Sequence, residues 1–160
     1  MRIGVISDTH GHVTNTLAAV RMLESLEVST VLHCGDIGSR EIPQLIAAWS
    51  AHFVFGNCDH DHDELRSVIE QAGLACYGLF GNLELCGRRI ALLHSHDAKL
   101  FRRVCTSGDY DLVCFGHTHQ AEQRREGKTL ILNPGALYRA TPHTLAVVDL
   151  ATLQATIVPI

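Results

Sequence analysis

The chain lacks the features of several large protein classes. Its 160 residues carry 13 basic and 17 acidic side chains, a formal net charge of −4, and no basic stripe. Such a chain cannot neutralise a run of phosphates, which argues against both general and sequence-specific nucleic-acid binding. Neither a signal peptide nor an apolar run long enough to cross a bilayer is present. Repeats, low-complexity stretches and linkers are also missing, which predicts a single domain over residues 1–160.

The six cysteines form neither a CxxC pair nor the regular spacing of a disulfide framework. Cys34, Cys105 and Cys114 lie within apolar runs, where a free thiol behaves as a small hydrophobic side chain. Reduced cysteines are typical of cytoplasmic proteins, so we expect a cytoplasmic chain. The eleven histidines are more unusual, because several of them follow directly after predicted strands.

The hydrophobic pattern alternates between strands and helices in the first half of the chain and is rich in hairpins in the second. Apolar runs predict the strands, and spaced apolar residues predict amphipathic helices. This pattern is typical of an α/β fold in which two packed β-sheets of mixed strand direction are flanked by helices. The predicted strands are 2–7, 30–34, 52–55, 83–86, 89–93, 111–115, 122–125, 129–132, 144–149 and 154–158. The predicted helices are 13–26, a short one capped by Ser39, 64–72 ending at Gly73, and one starting at Asp97.

Side chains of metal-ligand type follow five of these strands within one to three residues. Because the carboxyl ends of parallel strands meet at one edge of a sheet, open α/β folds build their sites there. A mixture of carboxylate, amide and imidazole suits Mn, Fe or Zn better than Ca, which prefers oxygen alone. The sequence therefore predicts a metal site formed by Asp8, His10, Asp36, Asn57, His94, His117 and His119.

Each of these residues also has an ordinary structural explanation. Asp8 could cap the following helix, while Asp36 and Asn57 could simply form turns. His94 could be a hydrogen-bonded histidine of the core. Asp59 could orient a neighbouring group or cap the next helix. His117 and His119 favour a metal site more strongly, because a purely structural role rarely requires two imidazoles in one short turn after an apolar strand.

The order of these motifs resembles that of the calcineurin-like metallophosphoesterases. The resemblance covers almost the whole chain and includes the turn Asn133-Pro134-Gly135. The short length and the presence of Cys58 make the chain look most like the small YfcE-type bacterial and archaeal phosphodiesterases. The motifs are Asp8-Thr9-His10, Gly35-Asp36, Gly56-Asn57-Cys58-Asp59, His94 and Gly116-His117-Thr118-His119.

The resemblance implies a divalent-metal-dependent phosphohydrolase, in particular a phosphodiesterase that acts on small phosphoesters. Two ions would share Asp36, and a hydroxide that bridges them would be the nucleophile. Mn²⁺ is the expected metal, although Fe, Zn, Ni or Co would also suit the ligands. Asp36 and Asn57 would thus serve catalysis as well as metal binding. One ion would be held by Asp8, His10, Asp36 and His119, and the other by Asp36, Asn57, His94 and His117.

Two positions depart from the family pattern. Larger members carry a histidine after the ligand Asn, where it protonates the leaving oxygen, and here that residue is Cys58. Its thiol could donate a proton, but we expect it to be a buried packing residue. His96 is our preferred substitute, because the turn that carries His94 keeps it near the ions, and His60 is the second candidate. Ala136 stands where a serine usually follows the Asn-Pro-Gly turn. The remaining histidines are expected to be structural or exposed, namely His12, His33, His52, His62 and His143.

Two other functions compete with this interpretation. A non-catalytic protein-binding scaffold of the same fold, like the retromer subunit, does not need the ligand set that is intact here. A mononuclear zinc hydrolase of metallo-β-lactamase type has a histidine-led motif, which this order does not match. An unpaired strand edge or the C-terminal hairpin could also support a homo-oligomer.

Overall fold

Eleven β-strands and four α-helices make up the structure, a computed structural model that describes residues 1–160. The strands are β1 (Arg2–Ile6), β2 (Thr30–His33), β3 (Ser50–Phe53), β4 (Ala75–Cys76), β5 (Phe80–Leu85), β6 (Arg88–Leu93), β7 (Leu112–Cys114), β8 (Glu122–Glu126), β9 (Thr129–Asn133), β10 (Thr144–Asp149) and β11 (Gln154–Pro159). The helices are α1 (Val13–Ser25), α2 (Glu41–Ile46), α3 (His62–Gln71) and α4 (Ala98–Thr106). None of these helices is both long and apolar enough to span a membrane.

The strands form two sheets of mixed direction, which confirms the predicted fold class. The first sheet has the order β11-β10-β1-β2-β3-β4, and the second has the order β5-β6-β7-β9-β8. Parallel strands lie at the centre of each sheet, with β1, β2 and β3 in the first and β6, β7 and β9 in the second. Antiparallel strands such as β10 and β5 flank them. The loops after the parallel strands of each sheet therefore leave from one edge.

Alternation along the central strands builds three apolar layers. Successive side chains of a strand point to opposite faces. Val5 accordingly packs between the two sheets, whereas Ile6 packs under the helices that cover the first sheet. In the same way Leu92 faces the layer between the sheets, and Leu93 packs with Val104 of α4. These layers fix the position of the strand ends.

Some local predictions were wrong. The third strand begins two residues earlier than predicted, and the two-residue strand β4 was too short to give a periodic signal. Ser39 does not cap α2, whose N-cap is Arg40 with no side-chain hydrogen bond. Asp97 is confirmed as a helix cap, because its carboxylate accepts the N–H groups of Lys99 and Leu100.

Candidate metal centre

The loops that follow β1, β2, β6 and β7 are joined to one another by hydrogen bonds. The backbone N–H of Asp8 donates to the carbonyl of Gly35 at 3.0 Å, and that of His10 donates to Asp36 at 2.9 Å. Across the two sheets, the ring Nδ1 of His94 lies 2.8 Å from the carbonyl oxygen of Cys34. The sequence positions that were predicted to converge are thus physically connected.

Five candidate ligands have a left-handed backbone conformation, although none of them is glycine. This conformation costs an L-residue roughly 1–2 kcal/mol. Such residues persist where the surrounding structure holds them, and they cluster at functional sites. Their concentration at one edge is independent of the sequence motifs and supports a site there. The φ angles are 54° for Asp8, 44° for His10, 54° for Asp36, 79° for His117 and 58° for His119.

Asp8, Asp36 and His94 form the inner part of the site, which we call the buried group. Their exposed fractions are 0%, 3% and 1%. His94 Nε2 lies 3.3 Å from Asp36 Oδ2 and 3.9 Å from Asp8 Oδ1. Yet no hydrogen bond of acceptable geometry reaches Asp8 Oδ1 or His94 Nε2. A buried polar atom without a partner costs roughly 1–3 kcal/mol, and a cation between these atoms would remove that cost.

Each member of the buried group has one atom held by the protein and one atom left for a ligand. Asp8 Oδ2 accepts a hydrogen bond from the Ser7 hydroxyl, and Asp36 Oδ1 accepts one from the backbone N–H of Cys58 at 2.8 Å. His94 donates its Nδ1–H to the Cys34 carbonyl, which leaves the Nε2 lone pair free. This division is what metal-binding side chains require, because the outer contact orients the ligand atom.

Two partly exposed histidines complete the cluster. His119 Nε2 lies 3.2 Å from Asp8 Oδ1, and His10 Nε2 lies 3.5 Å from Asp36 Oδ2. The two imidazole Nε2 atoms are 3.4 Å apart. Donor atoms within 4.8 Å of one another form three groups, namely Asp8-His10-His119, His10-Asp36-Cys58 and Asp8-Asp36-His94.

The other predicted site residues are exposed and lie outside these three groups. We call Asn57, His96 and His117 the rim. The ring of His117 is 5.2 Å from that of His94 between centroids, and the ring of His96 is 5.7 Å from the same ring. The Asn57 amide nitrogen lies 3.5 Å from Cys58 Sγ. Cys58 is exposed, so the expectation of a buried packing residue was wrong. The structure therefore gathers five of the seven predicted ligands closely, whereas His117 belongs to none of these groups. Asn57 lies next to Cys58, whose backbone N–H donates to Asp36 Oδ1.

The structural alternatives for the acidic residues are now decided. Asp8 does not cap α1, since the cap is the side chain of His12. Asp59 does not cap α3 either, because Asp61 does so. Instead the buried Asp59 carboxylate accepts the backbone N–H groups of Gly38 at 3.0 Å and Gly56 at 2.8 Å. It thus fixes the loops that carry Asp36 and Asn57, which is the orienting role.

The charges of the buried group are strongly coupled. Burial acts to raise the pKa of Asp36, but the nearby imidazole of His94 and the N–H of Cys58 outweigh it and hold that pKa well below its usual range. Burial acts to lower the pKa of His94, but Asp36 and Asp8 outweigh it and raise that pKa. Without a cation, the two carboxylates therefore favour the protonated form of His94.

Residues 1–153 match the family model of the calcineurin-like phosphoesterase superfamily domain. The chain belongs to the calcineurin-like phosphoesterase superfamily. It is 29% identical over 138 residues to phosphodiesterase MJ0936 of Methanocaldococcus jannaschii, covering 84% of this chain and 83% of that protein. A solved structure described as a novel archaeal phosphodiesterase is 25% identical, with a TM-score of 0.93 and full coverage of both chains. The resemblance of the motifs is thereby confirmed.

More distant solved structures share the fold. The phosphoesterase Yfce of E. coli is 17% identical, with a TM-score of 0.70 and full coverage of both chains. Vps29 of Entamoeba histolytica, solved in complex with zinc, is 20% identical, with a TM-score of 0.67 over 98% of this chain and 90% of that chain. Both confirm the packing of two mixed sheets with helices.

His33 connects the loop after β1 to the loop after β2, and both loops carry candidate ligands. Its position in the sequence, at the end of a strand, did not indicate this role. It is fully buried, and its Nδ1 accepts the N–H of Gly35 at 3.2 Å. Its Nε2–H therefore donates to the Thr9 hydroxyl at 3.0 Å, and that hydroxyl donates to the Ile37 carbonyl at 2.9 Å. Burial, followed by the charge of His94, lowers the pKa of His33 to about 3, so this connection stays neutral.

Asn133 plays the same part for the loop of His117 and His119. Its amide nitrogen donates to the Gly116 carbonyl at 3.2 Å and to the Thr118 hydroxyl at 3.0 Å. Its amide oxygen accepts the N–H of Gly135 at 2.9 Å. The Asn-Pro-Gly turn was visible in the sequence, but its contact with the histidine loop was not, because the two segments are far apart along the chain.

Proposed function

We propose that this chain is a phosphodiesterase that depends on two divalent cations. The observation that carries the proposal is the pair of buried, unpartnered ligand atoms, Asp8 Oδ1 and His94 Nε2, which face Asp36. A scaffold that binds proteins through its surface has no need of such a costly arrangement. The phosphodiesterase matches in sequence and in structure, which cover most of the chain, support the same reaction.

The proposed ligand sets follow the family pattern, with Asp36 shared. The short distances among Asp8, His10 and His119 support the first set. The contact between His94 and Asp36 supports the second, in which His117 and Asn57 would close in from the rim on binding. The first set is Asp8, His10, Asp36 and His119, and the second is Asp36, Asn57, His94 and His117.

Bound divalent ions of this kind supply a deprotonated water as nucleophile near neutral pH and stabilise charge on the phosphoryl oxygens. The buried group supplies fixed negative charge and excludes solvent from beneath the reacting phosphoryl group. The exposed amide of Asn57 stands at the rim, where it can meet a ligand without adding charge. His96 would donate a proton to the leaving oxygen, while Cys58 remains a neutral thiol because burial and the nearby Asp36 raise its pKa.

The metal, the substrate and the location in the cell are also part of this proposal. Mn²⁺ is the proposed metal, with Fe, Zn, Ni or Co as alternatives for the same mixed nitrogen and oxygen ligands. The substrate would be a small phosphoester. Residues 1–160 would form a single domain that binds it. All six cysteines are free thiols, which supports a reducing, cytoplasmic location.

The decisive experiment combines metal analysis with turnover, because metal content alone does not separate an enzyme from a scaffold. The purified chain is stripped with a chelator, reloaded with Mn²⁺, and assayed on phosphomonoesters, phosphodiesters and nucleotides. We expect two ions per chain and hydrolysis of diesters that disappears with the chelator. Two bound ions without turnover of any ester would favour the scaffold, and a maximum of one ion would contradict the shared role of Asp36.

A further inference from the structure

A small cavity borders the candidate metal centre. Its volume is about 100 Å³. Two residues of the site contribute to its wall, His94 from the buried group and His96 from the rim. A group attached to a phosphoryl oxygen at the centre could therefore extend into it without leaving the site. The lining residues are Leu79, Leu93, His94, Ser95, His96, Asp97 and Leu100.

Three of the four polar side chains of this cavity, those of His94, Ser95 and Asp97, make hydrogen bonds directed away from it. The Ser95 hydroxyl donates to the Gly116 carbonyl at 3.0 Å. The Asp97 carboxylate caps α4 by accepting the N–H groups of Lys99 and Leu100, each at 3.0 Å. The Nδ1–H of His94 is directed to Cys34. What remains for an occupant is the imidazole of His96 at the rim and the apolar surface of three leucines, so a mainly apolar group fits best.

Leu79 gives the cavity an apolar mouth. It lies in the segment between β4 and β5, and 50% of its surface is exposed. Leu93, by contrast, is 1% exposed and forms part of the interior. An occupant would remove water from the exposed part of Leu79, which is favourable in proportion to the apolar area covered.

The volume limits the size of the occupant. An engineered apolar cavity of about 150 Å³ holds one benzene molecule. The cavity beside His96 is somewhat smaller at about 100 Å³, whereas the hollow beside His119 has about 490 Å³. We propose that the smaller cavity receives an apolar ester substituent of the substrate, at most the size of one aromatic ring. This inference rests on the proposed phosphodiesterase activity and names the substituent that this activity would prefer.

The test uses phosphonates, which share the anionic head group and are not hydrolysed at their P–C bond. The affinities of methylphosphonate, phenylphosphonate and naphthylphosphonate for the Mn²⁺-loaded chain are measured by calorimetry. We expect phenylphosphonate to bind at least about tenfold more tightly than methylphosphonate, and naphthylphosphonate to lose that advantage. Leu79→Ser should reduce the phenyl preference. Leu17→Ser, which changes a 38% exposed leucine on α1, should not.

A second variant keeps the test independent of any loss of folding. Leu100→Ala enlarges the cavity and should restore tight binding of naphthylphosphonate, which is a gain that an unfolded chain cannot show. Equal affinities for the methyl and phenyl compounds, or a phenyl preference that survives Leu79→Ser, would overturn this inference alone. If none of the three phosphonates binds and no ester is hydrolysed, the proposed function fails and this inference fails with it.

Discussion

The buried group and the rim of the candidate centre are held in different ways. In the buried group, Asp8 and Asp36 each have one oxygen in a hydrogen bond with the protein. Two of its buried polar atoms, Asp8 Oδ1 and His94 Nε2, have no hydrogen-bond partner. The rim residues Asn57, His96 and His117 are exposed instead. Folding therefore fixes the geometry of the inner candidate ligands through hydrogen bonds, whereas the side chains of the rim are open to solvent.

This difference has an energetic consequence. Buried atoms without partners and left-handed ligand residues each cost roughly 1–3 kcal/mol. The three apolar layers must therefore stabilise a site that opposes folding. A cation that binds only the folded chain relieves the cost, and it stabilises that chain further by mass action. The buried group should thus respond to substitution through metal binding, and His96 of the rim through catalysis.

The largest effect is expected from Asp36→Asn, which keeps the shape of the side chain and removes its charge. Because Asp36 is proposed to hold both ions, activity should fall by more than about 10²-fold, the upper range for residues that only support a ligand. The stoichiometry of bound Mn²⁺ should fall as well. Asp61→Asn is the matched control, since asparagine caps helices as well as aspartate does. Near-normal turnover in Asp36→Asn would contradict the shared role.

His96→Ala tests the rim. With a poor alkoxide leaving group, kcat should fall by about 10²-fold, the lower range for a general acid, and with a nitrophenolate it should change little. Burial, with the charges of His94 and His117, lowers the pKa of His96. An acid must be protonated, so activity on the poor leaving group should decline as pH rises through that lowered value. His60→Ala is the control, and a loss of kcat in it instead would move the acid role to His60.

His33→Gln tests the neutral connection beneath the ligand loops. The pKa of His33 is about 3 in the folded chain, compared with about 6.5 in an unfolded one. The unfolded chain therefore binds an extra proton between these values, so stability falls as pH decreases. Between pH 6.5 and pH 4 we expect this histidine to remove about 3 kcal/mol from the free energy of unfolding, measured with a chelator present. The variant should lack this part of the slope, and parallel pH curves would contradict the assignment.

Much of the fold could be predicted because hydrophobic periodicity marks elements that are long enough to repeat it. Strands β1 and β6 and helix α1 have clear patterns and begin within one residue of the predicted positions. Strand β4 has two residues, too few for any period, and was missed. The order of strands depends on contacts between distant segments, which no local pattern contains.

The candidate site likewise contains residues that could be predicted from the sequence and residues that could not. Ligand types directly after strands were visible in the sequence, because strand ends have a defined place in this kind of fold. The residues that hold them were harder to find, since an ordinary buried side chain such as His33 has no distinctive spacing. Asp59 shows the limit well, because capping and orienting were equally compatible with its position and only the contacts with Gly38 and Gly56 decided between them.

The smallest effect is expected from Asn133→Ala, which removes a support of the His117–His119 loop and no ligand. The Gly116 carbonyl keeps its bond from the Ser95 hydroxyl, so the loop should loosen without unfolding. Outer supports of metal ligands contribute about 10–100-fold in affinity, and here we expect roughly tenfold weaker Mn²⁺ binding by calorimetry. Saturating metal should restore most of kcat, because every ligand is still present. Asn82→Ala, on the exposed face of β5, is the control. Unchanged Mn²⁺ affinity in a less stable Asn133→Ala chain would assign the turn to folding alone.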